Sequence, residues 1–307
     1  MRTILPDEMQ HRDRHQLLIA GVSPRPIALV STVDSHGIGN LAPYSFFNAF
    51  SSKPPIVAIG PATAVKTGRE KDTWRNITDT GECTISTVTS AMVHRVNLAS
   101  APYPDTVDEF EKSGLTKQKS RIVQPPFAGE SPFAMECVLV ESIALKRDLG
   151  GNGNLMLLEV VAFHVADSVW ENGTISPAKM DLVGRMGLSW YTGTRDIFTA
   201  IQPSHLPMGM DALPEDVRTS MVLTGNDLAQ LAYLPEIPKA DPDFIQSVQS
   251  LNADSVEIEL KCENPKGALA AFIRLGNTND VISRHRIAKA FIASNLVYEA
   301  WQVILYG

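Results

Sequence analysis

The feature that most constrains the fold is a succession of short apolar runs, rich in β-branched residues and each closed by turn chemistry. The first spans residues 27–33 and reads as a buried strand. Asp34, Ser35, His36 and Gly37 then supply a turn, with a glycine able to take a positive φ. The chain returns through Asn40-Leu41-Ala42-Pro43 into Tyr44-Ser45-Phe46-Phe47-Asn48, with Ser51 and Ser52 close behind. Small hydroxyls and an amide set among aromatics suit a planar, polar ligand that is both stacked and hydrogen-bonded. The same pattern fits a hairpin whose polar positions face water.

Strand-like runs recur at residues 56–59, 82–88, 133–145 and 155–165. Gly150-Gly151-Asn152-Gly153-Asn154 reads as the turn between the last two, not as a phosphate loop, because neither GxGxxG nor GxxxxGK is present. Asp72 or Thr73 as N-cap and Gly81 as the residue after the end predict a short helix around Trp74-Arg75-Asn76-Ile77. Ser90 predicts a second helix through Val96 and Leu98, and residues 105–112 a third short piece. Strands in succession with helices inserted favour an antiparallel closed sheet over a doubly wound one.

The character changes near residue 200. Pro203, Pro207, Pro214, Pro235, Pro238 and Pro242 punctuate a stretch of loops and short helices. Ile287, Phe291, Ser294, Tyr298, Trp301 and Leu305 then recur at helical spacing, predicting one terminal amphipathic helix. Such a helix packs on the barrel, on a second subunit, or within a self-contained helical cap. Residues 1–200 and 201–307 are thus expected to form two regions.

A net charge of -7 and the lack of any long basic run argue against a nucleic-acid partner. No apolar stretch is long enough to span a bilayer, and the start, MRTILPDEMQHRDRH, is too charged for a signal peptide. Cys83, Cys137 and Cys262 are widely spaced, which suits reduced thiols and a cytoplasmic location. His11 and His15 stand four apart but lack the glutamate of HExxH, so no metal is expected there. No GxSxG elbow is present, which argues against a serine hydrolase.

Five segments, RPIALVSTVD (25–34), NLAPYSFFNAFSSKPP (40–55), KDTWRNI (71–77), VVAFHVAD (160–167) and GRMGLSWY (184–191), occur in one order. In this the chain resembles the flavin reductase-like, FMN-binding split-barrel family, which includes flavoredoxin-type proteins. The resemblance implies a mainly β fold with α elements (α+β): a split β-barrel over residues 1–200, with a helical C-terminal extension. It implies an NAD(P)H:flavin oxidoreductase passing hydride from the nicotinamide of NADH or NADPH to N5 of FMN. A homodimer is implied too, with an electron-acceptor protein as a further partner. An FMN-binding electron carrier and a non-redox ligand-binding protein are the alternatives.

The site residues follow from the same resemblance. Lys71, Asp72 and Thr73 stand at a helix start, where unpaired N–H groups favour a phosphate. Read alone, they also fit a capped surface helix with a solvated lysine. Asn40, Ser45, Phe46 and Asn48 are expected along the flavin ring, with Ser51 and Ser52 as further cofactor contacts, whereas Phe47 should point the other way into the core. His164 is either a satisfied structural residue or a cofactor contact. Arg185, between Gly184 and Gly187, either closes over a phosphate or nicotinamide nucleotide or forms a salt-bridged surface turn. No dedicated acid–base residue is required, because the cofactor carries the chemistry. Two departures stand out: Leu188 where relatives often have a second glycine, and Tyr44 where phenylalanine is usual.

Overall fold

The fold is that of a computed structural model, which describes residues 1–64, 68–145, 153–203 and 206–306. The chain divides into two compact units, Met1–Ile197 and Phe198–Gly307. The first is built on a seven-stranded antiparallel sheet: β1 (Ala28–Val33), β2 (Gly39–Tyr44), β3 (Phe47–Ser52), β4 (Pro55–Ile59), β5 (Glu82–Thr87), β6 (Phe133–Ala144) and β7 (Asn154–Val165). Its strand order is β2-β1-β5-β6-β7-β4-β3. The two edge strands, β2 and β3, are consecutive in the chain and joined only by Ser45 and Phe46. At 3.8 Å per Cα step, that link spans at most about 11 Å, so the two edges of the sheet must curl toward each other. Bulges at Ala49/Ser51, Glu136/Cys137 and Leu139/Glu141 supply the local bending.

The unbroken apolar run of β1 has a direct cause. Ala28 and Val30 face a core of Ile59, Ile85, Cys137 and Leu158, while Leu29 faces a second core of Leu41, Met92, Val96 and Phe110. A strand buried on both faces has no polar alternation to show. Each such large side chain contributes about 1.5–3 kcal/mol by leaving water. Cys83 and Cys137 are buried, cross-strand neighbours in register.

Four helices flank the sheet: α1 (His11–Gly21), α2 (Asp72–Thr80), α3 (Val93–Ala99) and α4 (Glu109–Ser113). The helix expected around Trp74 is present and ends at Gly81, whose φ of 77° is the left-handed conformation that glycine favours. Its N-cap is Lys71, not Asp72 or Thr73, because the Thr73 hydroxyl is engaged inside the protein. The second helix begins at Val93, beyond Ser90, whose hydroxyl bonds Asp181 instead. The third begins after Asp108, whose carboxylate accepts from the Phe110 N–H. Residues 150–152 of the expected turn lie outside the described residues.

The second unit carries α5 (Glu215–Arg218), α6 (Gly225–Leu231), α7 (Pro242–Gln249), α8 (Val256–Lys261), α9 (Pro265–Leu275), α10 (Val281–Ala293) and α11 (Val297–Leu305). The single terminal helix expected from spacing is in fact α10 and α11, broken where Asn295 takes a φ of 60°. Ile287, Phe291 and Trp301 are fully buried in a core built from this unit's own helices, while Tyr298 is exposed. Among the described residues no helix is long and apolar enough to cross a membrane.

Candidate functional site

Where β1 and β2 meet the start of α2, four buried polar side chains satisfy one another. Asn40 Nδ2 donates to Thr32 Oγ1 at 3.0 Å and to Thr73 Oγ1 at 2.9 Å. Asn76 Nδ2 donates to the same Thr32 oxygen at 3.0 Å. The Tyr44 phenol also bonds Thr73, and burial pushes its pKa up to about 12, so it is a neutral hydroxyl. These bonds fix the first turn of α2 against the sheet. They border a polar cleft of about 350 Å³, lined by Asn40, Tyr44, Arg69, Lys71, Asp72 and Thr73 among others.

The charges in this cleft are mostly committed. Asp72 pairs with Arg75 and lies 3.9 Å from Arg69, which also bridges Asp105 at 2.9 Å. Glu109 accepts the Leu41 N–H at 2.8 Å, and burial raises its pKa. Glu70 accepts from Asn154 Nδ2 at 2.7 Å. The exposed Lys71 ammonium makes no ion pair or hydrogen bond among the described residues. It stands at the helix start, where the first N–H groups have no partner within the helix.

The second cleft, of about 590 Å³, is largely apolar and is lined by Phe46, Phe47, Asn48, Phe50, Leu18 and Leu155 among others. The two clefts draw on residues close in the chain, Tyr44 and Phe46 on either side of Ser45, and Thr63 next to Ala64. Their common wall is therefore the corner where the chain passes from β2 to β3. Gly60 allows this corner to close, because a Cβ there would lie 2.9 Å from Phe46 Cβ. Its N–H donates to the Phe46 carbonyl at 2.7 Å. Phe47 packs against the barrel core, yet it also lines this cleft beside Phe46, so it does not simply point away from it as expected.

The remaining expected residues lie elsewhere. Ser45 sits at the corner and accepts from Arg25 Nε at 3.3 Å. Ser51 and Ser52 are exposed beyond the β3 bulge and line neither cleft, and Ser51 Oγ accepts the Lys53 N–H. His164 Nε2 lies 2.6 Å from Glu136 Oε1, its ring stacked on Phe127 at 4.3 Å, outside both clefts. Arg185 pairs its backbone with Arg25 and lays its guanidinium over Tyr191 at 4.6 Å, also outside them.

Two positions gain meaning only from the structure. Arg25, 6% exposed, donates to the carbonyls of Ile19, Val22 and Met186 as well as to Ser45. Nothing local in the sequence distinguishes it from a surface arginine. Leu188 holds a φ of 53°, a conformation that costs an L-residue about 1–2 kcal/mol. Leu188→Gly is therefore expected to stabilise the protein by about 1 kcal/mol, read from chemical denaturation.

Residues 20–193 match the family described as flavin reductase like domain. The chain belongs to that family. Uncharacterised relatives include a Deinococcus radiodurans protein, 39% identical over 190 residues (60% of this chain, 82% of the relative). Another, from Halalkalibacterium halodurans, is 32% identical over 204 residues (65% and 95%). Among solved structures, nitrilotriacetate monooxygenase component B from Bacillus cereus superposes with a TM-score of 0.62 at 31% identity, covering 65% of this chain and 98% of that one. The 2-nitrobenzoate 2-nitroreductase of Pseudomonas fluorescens gives 0.60 at 25% identity, covering 67% and 98%. The family and these neighbours establish a split barrel of flavin-related, oxidoreductase-like type. The family match ends before the helical unit begins.

Proposed function

We propose that this protein is an FMN-dependent NAD(P)H:flavin oxidoreductase. The observation that carries the reading is the shared wall: one corner, Tyr44 to Phe46, separates a polar cleft whose Lys71 ammonium has no partner among the described residues from an aromatic one. A flavin mononucleotide needs both environments, an anion anchor and a flat apolar slot.

Lys71 and the first N–H groups of α2 would hold the phosphate, with Asp72 neutralised by Arg75. Thr73 and Asn40 are already bonded to each other and act by setting the angle of that helix start. Phe46 and Asn48 would border the ring, Phe46 by packing and Asn48 by its exposed amide. When bound, FMN supplies at N5 the acceptor for hydride from C4 of NADH or NADPH. The protein orients the two reactants and lends backbone and side-chain donors to the ring edge that gains charge on reduction. A dimeric protein working in the cytoplasm accords with this reading.

The test is the visible spectrum during FMN titration, followed by anaerobic NADH or NADPH. Flavin bands should shift on binding and bleach with a nicotinamide. Binding without bleaching would replace the reductase by an electron carrier, and no binding would remove the flavin reading. Lys71→Ala should weaken FMN binding by about 1.5–3 kcal/mol, by loss of a charge-assisted phosphate contact. Riboflavin, which lacks the phosphate, should bind both proteins alike.

A further inference from the structure

The HRDRH segment has a place in the aromatic cleft. It lies on α1, before the stretch matched by the family. His11, Arg14 and His15 all line the cleft on the side that faces Phe46, Asn48 and Phe50. The two imidazoles are parallel, 7° apart with centroids at 6.4 Å, and His15 lies 6.4 Å from the Phe46 ring. Arg14 is exposed, and its guanidinium has no ion pair or hydrogen bond among the described residues. Among the described residues no carboxylate lines the cleft. On a chain whose net charge is -7, this sets a guanidinium and two imidazoles over an aromatic floor. Its volume, about 590 Å³, falls in the range of small-molecule sites.

We infer that His11, Arg14 and His15 form an anion-recognition rim, and that it takes the phosphate groups of the nicotinamide dinucleotide. The inference rests on the flavin reading above, since it places the donor's anionic half beside the wall that would border the ring. Three features of the rim select this ligand. The arginine fork matches phosphate oxygens and is unspent on any partner among the described residues. The imidazoles add donors that need not be charged to serve. The rim also stands apart from Lys71, which lines the other cleft, so two anionic groups have two separate anchors.

The experiment is isothermal titration of NADP⁺ and of FMN, each into the full-length wild type, Arg14→Gln and Arg12→Gln. Arg12 shares the helix but does not line the cleft, so it controls for net charge. Arg14→Gln should weaken NADP⁺ binding about tenfold and leave FMN affinity within error, while Arg12→Gln should change neither. Equal NADP⁺ affinity in wild type and Arg14→Gln would overturn the inference. So would loss of FMN affinity with NADP⁺ unchanged, which would assign the rim to the flavin's own phosphate. Failure of the flavin reading itself would show separately, as a wild type that binds no FMN.

Discussion

Glu136→Ala is expected to destabilise the barrel by about 3–5 kcal/mol, the scale of breaking a buried charged network. Glu136 is fully buried in β6 and accepts four hydrogen bonds. Three come from the backbone N–H groups of Arg121, Ile122 and Val123, at 2.6–2.9 Å, and the fourth involves His164 at 2.6 Å. Removing the carboxylate strands three N–H groups and an imidazole at once. The melting temperature should fall by roughly 10 °C or more, measured by circular dichroism. A fall of only a degree or two would mean that water replaces the carboxylate without loss.

The same residue fixes an acid limb. Burial alone would raise its pKa, but the donors from Arg121, Val123, His164 and Ile122 outweigh burial and bring it from 4.5 to about 2. A folded-state value below the unfolded one means stability that is complete above the unfolded pKa. It is lost as the pH falls from about 4.5 toward 2, by about 3 kcal/mol in all. Glu136→Gln should flatten that part of the stability profile. An unchanged acid limb in the variant would assign the loss to other carboxylates.

Arg25→Ala is expected to cost about 3–5 kcal/mol and to weaken FMN binding as well. Its guanidinium joins three elements: the end of α1, the segment at Met186 and the β2–β3 corner through Ser45. Burial and the nearby Arg185 lower its pKa, so this is a cation held in place chiefly by carbonyl oxygens. Alanine leaves those carbonyls unpaired and lets the corner between the clefts move. Arg25→Lys keeps the charge but cannot reproduce the fork, and should recover less than half of the loss. Full rescue by lysine would show that charge, and not geometry, is what the corner requires. Denaturation midpoints and FMN titration together separate a loosened corner from a globally weakened fold.

The barrel strands were legible because their cause is local. β-branched apolar runs closed by glycine, proline and asparagine specify extended segments, and residues 133–145 and 155–165 differ from β6 and β7 by one residue at one end. The end of α2 was legible for the same reason, since only a residue that tolerates positive φ suits Gly81. Its start was not. Thr73 looked like a cap from its hydroxyl, but Asn40, thirty-three positions earlier, claims that oxygen. The terminal stripe hid a break because Asn295 can adopt a left-handed turn without disturbing the apolar spacing around it.

For the site, the chain by itself determined which residue types were at hand: a lysine at a helix start, aromatics interleaved with small polar groups, and the family pattern that joins them. Only the tertiary structure decided which of these meet. Asn40, Lys71, Asp72 and Thr73 share one cleft, Phe46 and Asn48 share the next, and His164 and Arg185 are engaged elsewhere. The reason is physical. Hydrogen bonding and burial follow from partners brought together by strand pairing across the whole barrel, and sequence separation carries no record of that distance. Arg25, Glu136 and Arg14 show it most plainly: three charged residues of ordinary local context, made a clamp, a buried anchor and a cleft rim by what the fold sets beside them.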